Sequence, residues 1–178
     1  MNKVYKNKRL FWFNLKNFDK FGVKSFGVDE IIVAGVEFNM CDSCGYPRNL
    51  FIAVNSSGDS GFYYEKNPKS IGYIIGEHSQ IFNYIINNFL NEISELTYNM
   101  DICKILPKPP ELNFINFFAL GNKGNFCKKL TYKEVHCKEH PYYLPFTYTR
   151  YLLSEMRKTE ILRLQNESSK KTKFNKFN

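Results

Sequence analysis

A chain of 178 residues with 43% hydrophobic and 17% aromatic residues is long enough for one well-cored domain and too apolar to be disordered. Five cysteines spread over this length exclude a disulfide miniprotein, and no run approaches the ~20 apolar residues that a bilayer span needs. The formal net charge is +8, which favours a polyanionic partner. We expect a cytoplasmic protein with one domain over 1–166 and a basic, disordered tail over 167–178.

The positive charge is concentrated at the two ends of the chain. Residues 1–24 hold seven lysines and arginines against one aspartate, and residues 157–178 hold seven against two glutamates, whereas residues 25–156 are slightly acidic. Terminal basic blocks predict arms that contact a polyanion or an acidic surface, although solvated tails that only aid solubility are the alternative. The residues expected to make the contact are Lys3, Lys6, Lys8, Arg9, Arg157, Lys158, Arg163, Lys170, Lys171 and Lys173.

The first part of the chain predicts β-strands. The apolar run "LFWF" over 10–13 is predicted as a first core strand, and "DEIIVAGVEF" over 29–38 as another. The runs "NLFIAVN" and "GFYYEK" are separated by the turn-rich "SSGDS", which is typical of a hairpin. The glycines of "SIGYIIGE" leave both a strand and the approach to a helix open.

The second part alternates helices and strands. Apolar residues at steps of three and four predict a helix over 78–98, with Ser79 as its N-cap. Three prolines in "KILPKPPEL" predict an extended connector, "ELNFINFFAL" and "FCKKLTYKEV" predict strands around the turn "GNKGN", and a last helix follows over 147–167. The fold class is therefore α+β, with an antiparallel sheet, one buried amphipathic helix and a C-terminal helix.

Two pairs of potential metal ligands have the same spacing. Cys41 and Cys44 form a Cys-x-x-Cys followed by Gly45, and Cys137 and His140 form a Cys-x-x-His. Zinc prefers four such ligands in a tetrahedron, commonly as two pairs that each come from one turn. The sequence therefore predicts a zinc site that joins the early sheet to the start of the last helix. Four protein ligands leave no open position, so the zinc is expected to be structural.

Alternatives to the zinc site remain at this stage. A redox Cys-x-x-Cys precedes a helix, whereas Pro47 and a strand-like run follow Cys44. His136 and Cys127 are reserve ligands if Cys137 points away, and Cys103 and Cys127 fit buried unpaired thiols.

No set of residues predicts catalysis. The "GDSG" over 58–61 matches a protease nucleophile motif, but no histidine precedes Ser60. "GNKGN" lacks the ending of a phosphate-binding loop, and the His-x-Glu of zinc deaminases does not occur.

The sequence thus predicts a small basic zinc-stabilised protein that contacts RNA or a ribonucleoprotein through its basic termini, without catalysis. The second hypothesis is a phage or mobile-element inhibitor of the anti-defence or anti-CRISPR type, which blocks a nucleic-acid-processing protein by binding that single protein target. The third is a metal-dependent nuclease. No membrane partner is expected.

Overall fold

The computed structural model describes residues 2–14, 16–19, 31–41, 43–67, 70–76 and 79–174. The helices are α1 (Lys3–Trp12), α2 (Lys16–Asp19), α3 (Gln80–Leu96), α4 (Tyr132–His136) and α5 (Tyr143–Phe174). The strands are β1 (Ile31–Cys41), β2 (Pro47–Asn55), β3 (Ser60–Asn67), β4 (Ser70–Ile75), β5 (Asp101–Ile102), β6 (Phe114–Gly121) and β7 (Gly124–Thr131).

The described strands form one antiparallel sheet of seven strands in the order β4-β3-β2-β1-β6-β7-β5. Hairpins join β1 to β2, β2 to β3, β3 to β4 and β6 to β7, and β6 pairs with β1 at the centre. The predicted α+β class and the antiparallel sheet are confirmed. No described helix has the length and hydrophobicity needed to cross a bilayer.

Side chains alternate between the two faces of the sheet along each strand. Both faces carry apolar side chains, and helices cover both. Ala34 and Val36 of β1 belong to the core beneath α3 and α5. Val33, one position before Ala34 and therefore on the other face, belongs to a second core with Tyr5 and Trp12 of α1. The molecule is therefore a three-layer structure with α1 on one side and α3 and α5 on the other.

The run over 10–13 lies in a helix, so the predicted first strand is wrong. Asn2 caps α1, because its side-chain oxygen accepts from the peptide N–H groups of Val4 and Tyr5. Tyr5 and Trp12 then lie on one helix face and are both buried. Trp12 Nε1 donates to the hydroxyl of Tyr63 at 3.2 Å. The expectation that Trp12 belongs to the core is confirmed, although a helix places it there.

The predicted helix over 78–98 is confirmed as α3. Ser79 caps it by accepting the peptide N–H of Phe82 at 3.3 Å. The apolar face is buried against the sheet and α5. The buried residues of the helix are Phe82, Ile85, Ile86, Phe89, Leu90, Ile93 and Leu96.

The last helix is longer than the sequence indicates. It extends over 32 residues, from Tyr143 to Phe174. Its backbone therefore continues through most of the segment that was expected to be a tail without regular structure, and residues 175–178 lie outside the described part. Leu152 and Met156 are fully buried against the sheet and α3, whereas residues 161–167 are exposed. The helix is thus a core element in its first half and a surface element later.

Candidate functional site

Three of the four predicted zinc ligands lie in loops, and the fourth, Cys41, is the last residue of a strand. Cys41 ends β1 and Cys44 lies in the loop to β2, where Gly45 has a φ of +80°. This left-handed conformation suits a glycine and lets the chain turn back after the second thiol. In the other loop, the peptide N–H of His140 donates to the carbonyl of Cys137 at 3.0 Å. Each loop therefore contains a turn at the position of its ligand pair, and the three thiols are exposed and not joined in disulfides.

The two loops lie at the same end of the sheet. Phe38 near the end of β1 pairs with Ile115 near the start of β6, and the start of β6 pairs with Thr131 at the end of β7. The hydroxyl of Tyr132, which opens α4, donates to the sulfur of Met40 at 3.7 Å. The fold thus brings together the two chain segments that the zinc hypothesis joins.

The predicted ligand side chains do not converge in this structure. Among the described residues, no three His, Cys, Asp or Glu side chains are close enough to share a metal ion. The thiol of Cys137 donates to Glu139 at 3.0 Å, and His140 Nδ1 accepts the peptide N–H of Tyr142 at 3.3 Å. A neutral ring that accepts at Nδ1 carries its proton on Nε2, so coordination through Nε2 requires the other tautomer. The zinc site is not shown and stays a prediction.

The two reserve ligands have other contacts. His136 Nδ1 hydrogen-bonds to the carbonyl of Tyr132 at 2.7 Å, and its ring stacks on the ring of Tyr132. Cys127 is buried on β7 beside Cys103. Burial, followed by the hydrogen bond with Cys103, raises the pKa of the Cys127 thiol, which therefore stays protonated and unreactive at neutral pH. The prediction of a buried unpaired thiol fits Cys127, whereas Cys103 is half-buried.

The basic residues of α1 divide into exposed and buried groups. Lys3, Lys6 and Lys8 are exposed, and α1 contains no aspartate or glutamate. The ammonium group of Lys8 lies 5.7 Å from the centroid of the Tyr63 ring. Arg9 differs from the lysines because it is only 3% exposed. Its charge is therefore not presented to a polyanion, contrary to the expectation from the sequence.

The basic residues of α5 also differ in their surroundings. Arg157 is exposed and borders a cavity that also contacts Cys41. Lys158 is paired with Glu155 at 2.6 Å, and Arg163 bonds to both Glu160 and Glu167 on the same helix. The ion pairs of Lys158 and Arg163 lie on the surface and within one helix, and ion pairs of this kind contribute little to stability. The remaining predicted contacts, Lys170, Lys171 and Lys173, lie on the last turns of the helix.

A buried ion pair, not foreseen from the sequence, holds α1 on the sheet. Arg9 Nη2 donates to Glu37 Oε2 at 2.7 Å, and Arg9 Nε lies 2.7 Å from Glu37 Oε1. The hydroxyl of Tyr5 donates to Glu37 Oε1 at 3.0 Å. Glu37 lies on the central strand β1 and is 2% exposed. We call Tyr5, Arg9 and Glu37 the anchor cluster.

The electrostatics of the anchor cluster are dominated by burial. Burial raises the pKa of Glu37 to about 7, against the opposing effects of the Arg9 guanidinium and the hydrogen bonds from Arg9 and Tyr5. Burial also raises the pKa of Tyr5. A carboxyl group with a pKa near neutrality is a typical acid–base catalyst, but Glu37 lies beneath α1 and is bonded to Arg9. Its geometry supports a positioning role for the helix.

The anchor cluster continues into the proline-rich connector over 107–110. Arg9 Nη2 donates to the carbonyl of Pro107 at 2.6 Å, and Asn116 Nδ2 donates to the carbonyl of Lys108 at 2.9 Å. A connector rich in proline has few N–H groups and offers mainly carbonyl acceptors, which side-chain donors must satisfy where it is buried. Asn116 lies directly opposite Glu37 in the sheet. One polar network therefore fixes α1 and the connector on the same sheet face.

A sequence signal for this network exists. Glu37 interrupts the apolar run "IIVAGVEF" at a position that shares a face with Val33, so a buried carboxylate is indicated. Arg9 lies four positions after Tyr5, on the same helix face. The sequence does not show that these two groups meet.

The fold and this site define a class: an α+β protein in which a basic surface helix is anchored to the sheet by a buried ion pair. The chain matches no protein-family model and no curated protein.

Proposed function

We propose that this protein binds single-stranded RNA, free or within an RNA–protein complex, without catalysis, through the outer side of α1 and the last turns of α5. The observation that carries the proposal is the exposure of Lys3, Lys6 and Lys8 on a helix that has no acidic residue. Ammonium groups in such an arrangement bind phosphates and release counterions from the nucleic acid.

The position of α1 supports this role. The anchor cluster fixes the helix on the sheet, so the three lysines stand on a rigid element rather than on a loose tail. Binding then costs less ordering entropy than it does for a disordered arm. Val4 and Leu10 are about half exposed on the same helix and provide apolar area beside the lysines for contact with bases.

The contribution of α5 is expected to come from its end. Lys158 and Arg163 each have carboxylate partners on the helix, so their charge is partly neutralised. Lys170, Lys171 and Lys173 follow these pairs and extend the basic character of the helix to its last turns.

A triple variant, Lys3→Gln, Lys6→Gln and Lys8→Gln, tests the assignment to α1. Binding to a single-stranded RNA oligonucleotide is measured over a range of salt concentrations. Loss of three phosphate contacts is expected to reduce the slope of log K against log salt by about 2 and to weaken binding at low salt.

The matched control for this experiment is the double variant Lys158→Gln and Arg163→Gln, which removes cations that already have partners. It is expected to change the slope less than the triple variant. Equal slopes for the wild type and the triple variant contradict the assignment to α1.

The zinc site is part of the same proposal. The supporting observations are the turns at both ligand pairs, the exposure of the three thiols and the contact between Tyr132 and Met40 that joins the two segments. The proposal requires the side chains of Cys41, Cys44, Cys137 and His140 to converge on one ion as a tetrahedron, which they do not do in this structure. The zinc would then fix the start of α5 to the β1–β2 hairpin.

Metal analysis of the purified protein tests the zinc site. We expect one zinc per chain, lost in Cys41→Ser and kept in Cys103→Ser, which is the matched control because Cys103 follows the edge strand β5, whereas Cys41 ends the central strand β1. A chelator is expected to lower the melting temperature of the wild type and of Cys103→Ser, but not that of Cys41→Ser. Zinc-free protein with a melting temperature insensitive to the chelator contradicts the site.

A protein partner is the second candidate function, because tyrosines cluster on the outer surface of α3 and α5. Tyr84 is 65% and Tyr151 55% exposed, and the rings of Tyr148 and Tyr151 are 6.4 Å apart. Exposed tyrosines of this kind are enriched in protein interfaces. Co-purification of one stoichiometric protein that is lost in Tyr84→Ala and kept in Tyr98→Ala favours this function, and co-purification of bulk RNA favours the first.

A further inference from the structure

We propose that the cavity between the sheet and α5, beside Arg48 and Arg157, binds one nucleotide of a single-stranded RNA, with the phosphate at the two guanidinium groups and the base on the apolar wall. This inference rests on the proposed function and adds a binding site to it. It extends the RNA contact from the outer side of α1 to the opposite face of the sheet.

The cavity lies at the end of the sheet where β1 and β3 end and β2 begins. Met40 of β1, Leu50 of β2 and Tyr64 of β3 form one wall, and α5 contributes Arg157 to the other. Its volume is about 410 Å³. Small-molecule sites have volumes of about 300–1,000 Å³, so this cavity suits a ligand of the size of a single nucleotide.

Two arginines from different elements border the cavity. Arg48 lies near the start of β2, and Arg157 is an exposed residue of α5. Among the described residues, no carboxylate forms an ion pair with Arg157, whereas the neighbouring Lys158 is paired with Glu155. A guanidinium group presents a planar set of N–H donors that matches two oxygens of a phosphate. Two such groups at one cavity therefore favour a phosphate as the ligand.

The apolar wall suits the base. Tyr64 stacks on Phe62 with the ring centroids 5.3 Å apart, and this contact holds its ring in place. Leu50 lies directly opposite Tyr64 in the sheet, and both are half-buried. Bases bind to aromatic and apolar surfaces of this kind by stacking and by burial of their faces. The cavity thus offers a separate surface to each part of a nucleotide.

A carboxylate at the cavity links it to α1. Glu65 borders the cavity, and its Oε1 accepts the peptide N–H of Asn2, the N-cap of α1, at 2.8 Å. Its Oε2 accepts from Asn49 Nδ2 at 2.7 Å, so both oxygens have donors and the negative charge is partly compensated. Because Lys3 follows Asn2, the basic side of α1 begins next to the cavity. One RNA strand can therefore contact both, which is why RNA is assigned as the occupant.

A neighbouring cavity, also bordered by Tyr64, lacks this charge pattern. It has a volume of about 450 Å³ and lies between β4 and later turns of α5. The only cation among the described residues that border it, Arg163, is bonded to Glu160 at the same cavity and to Glu167. Its charge is therefore neutralised locally, and the phosphate is assigned to the cavity beside Arg157.

Replacing arginine by lysine tests the cavity, because lysine keeps the charge but loses the planar set of donors. Binding of a single-stranded oligouridylate is measured over a range of salt concentrations. The double variant Arg48→Lys and Arg157→Lys is expected to bind about tenfold more weakly, with an unchanged slope of log K against log salt. Arg150→Lys, at an exposed arginine of α5 that does not border the cavity, is the matched control and is expected to bind like the wild type.

This experiment distinguishes failure of the cavity site from failure of the proposed function. Binding that the double arginine variant leaves unchanged, while the triple variant Lys3→Gln, Lys6→Gln and Lys8→Gln weakens it, overturns the cavity site alone. A wild-type protein that binds no RNA overturns both. Circular dichroism checks that each variant is folded.

Photo-cross-linking gives a second, independent measurement. An oligouridylate that contains thiouridine is irradiated with the protein, and the adducts are located by mass spectrometry. We expect adducts at Met40 or Tyr64 in the wild type and in Arg150→Lys, and fewer in the double arginine variant. Adducts confined to α1 overturn the proposal. Binding of uridine monophosphate that depends on both arginines, without any RNA adduct at the cavity, also overturns the assignment to RNA.

Discussion

Arg9 and Glu37 illustrate how a buried ion pair can position a surface helix. Removing two charges from water is costly, and good geometry with additional hydrogen bonds is needed to offset that cost. Here both carboxylate oxygens of Glu37 have donors, and Arg9 also donates to the connector carbonyl of Pro107. Because misplacement of α1 would leave a buried charge unpaired, the pair favours one position of the helix and, with it, one position of its lysines.

The pKa of Glu37 leads to a pH-dependent prediction. Its folded-state pKa of about 7 lies above the ordinary value of 4.5, so its contribution to stability is complete below about pH 4.5 and is lost as the pH rises through about 7. The free energy of unfolding of the wild type, measured relative to Glu37→Gln, is therefore expected to fall by up to about 3 kcal/mol over this range.

Urea denaturation of both proteins at about pH 5 and about pH 8 measures this difference. Taking the difference between the two proteins removes the titration of all other groups. A difference that is the same at both pH values, or that grows in favour of the wild type at high pH, contradicts the assigned pKa.

At the residue scale, the sequence predicts a candidate site only where its residues are close together along the chain, as in each pair of metal ligands. The pairs at 41/44 and 137/140 are visible as spacings, and the fold brings their loops to one end of the sheet, but spacing does not determine rotamers. The anchor cluster joins residues 28 positions apart, so a pattern along the chain cannot show it. The same limit explains why Arg9 was grouped with the exposed lysines, although its helix face turns inward.

At the scale of elements, periodicity is informative where a segment is long. The face of α3 repeats over several turns and was predicted correctly. The strand predicted over 126–135 ends at Thr131, because the capped helix α4 begins at Tyr132, and the short strand β5 was not predicted. The apolar run over 10–13 is too short to show a period, so a helix and a strand are equally compatible with it. Its helical state depends on the cap at Asn2 and on packing against the sheet. Neither can be read from the four residues of the run itself.

The C-terminal helix α5 shows that a long helix can also be predicted too short. Its early turns carry a buried apolar face, whereas residues 161–167 are all exposed, including the apolar Ile161, Leu162 and Leu164, so apolar spacing there does not mark a buried face. The pairs that Arg163 makes with Glu160 and Glu167 stabilise the helix locally instead. Helix length is therefore underestimated when it is read from apolar spacing alone.

The cap of α3 provides a stability prediction at this scale. Ser79→Ala removes the oxygen that accepts the peptide N–H of Phe82 and is expected to lower the free energy of unfolding by about 1 kcal/mol. Ser154→Ala, at an exposed position inside α5, is the matched control and is expected to cost nothing, because alanine is the better helix former. Equal effects of the two substitutions contradict the assigned cap.

At the scale of the whole molecule, the three layers separate functions in space. The core between the sheet and α3 and α5 carries most of the buried apolar side chains, and the opposite face carries the polar network that holds α1 and the connector. The predicted contact residues lie on α1 and α5, and all of them on α1 except the buried Arg9 are exposed, whereas residues 25–156 are slightly acidic. This separation allows a stable body to present charge without self-repulsion in its core.

The binding of the wild-type protein to single-stranded RNA, titrated with salt from low to moderate concentration, tests the central claim most directly. The account predicts measurable binding at low salt and a linear fall of log K with log salt, with a slope that reflects several phosphate contacts. Binding that is absent at low salt, or that stays constant as salt increases, contradicts the claim that exposed lysines on an anchored helix form an RNA-binding surface.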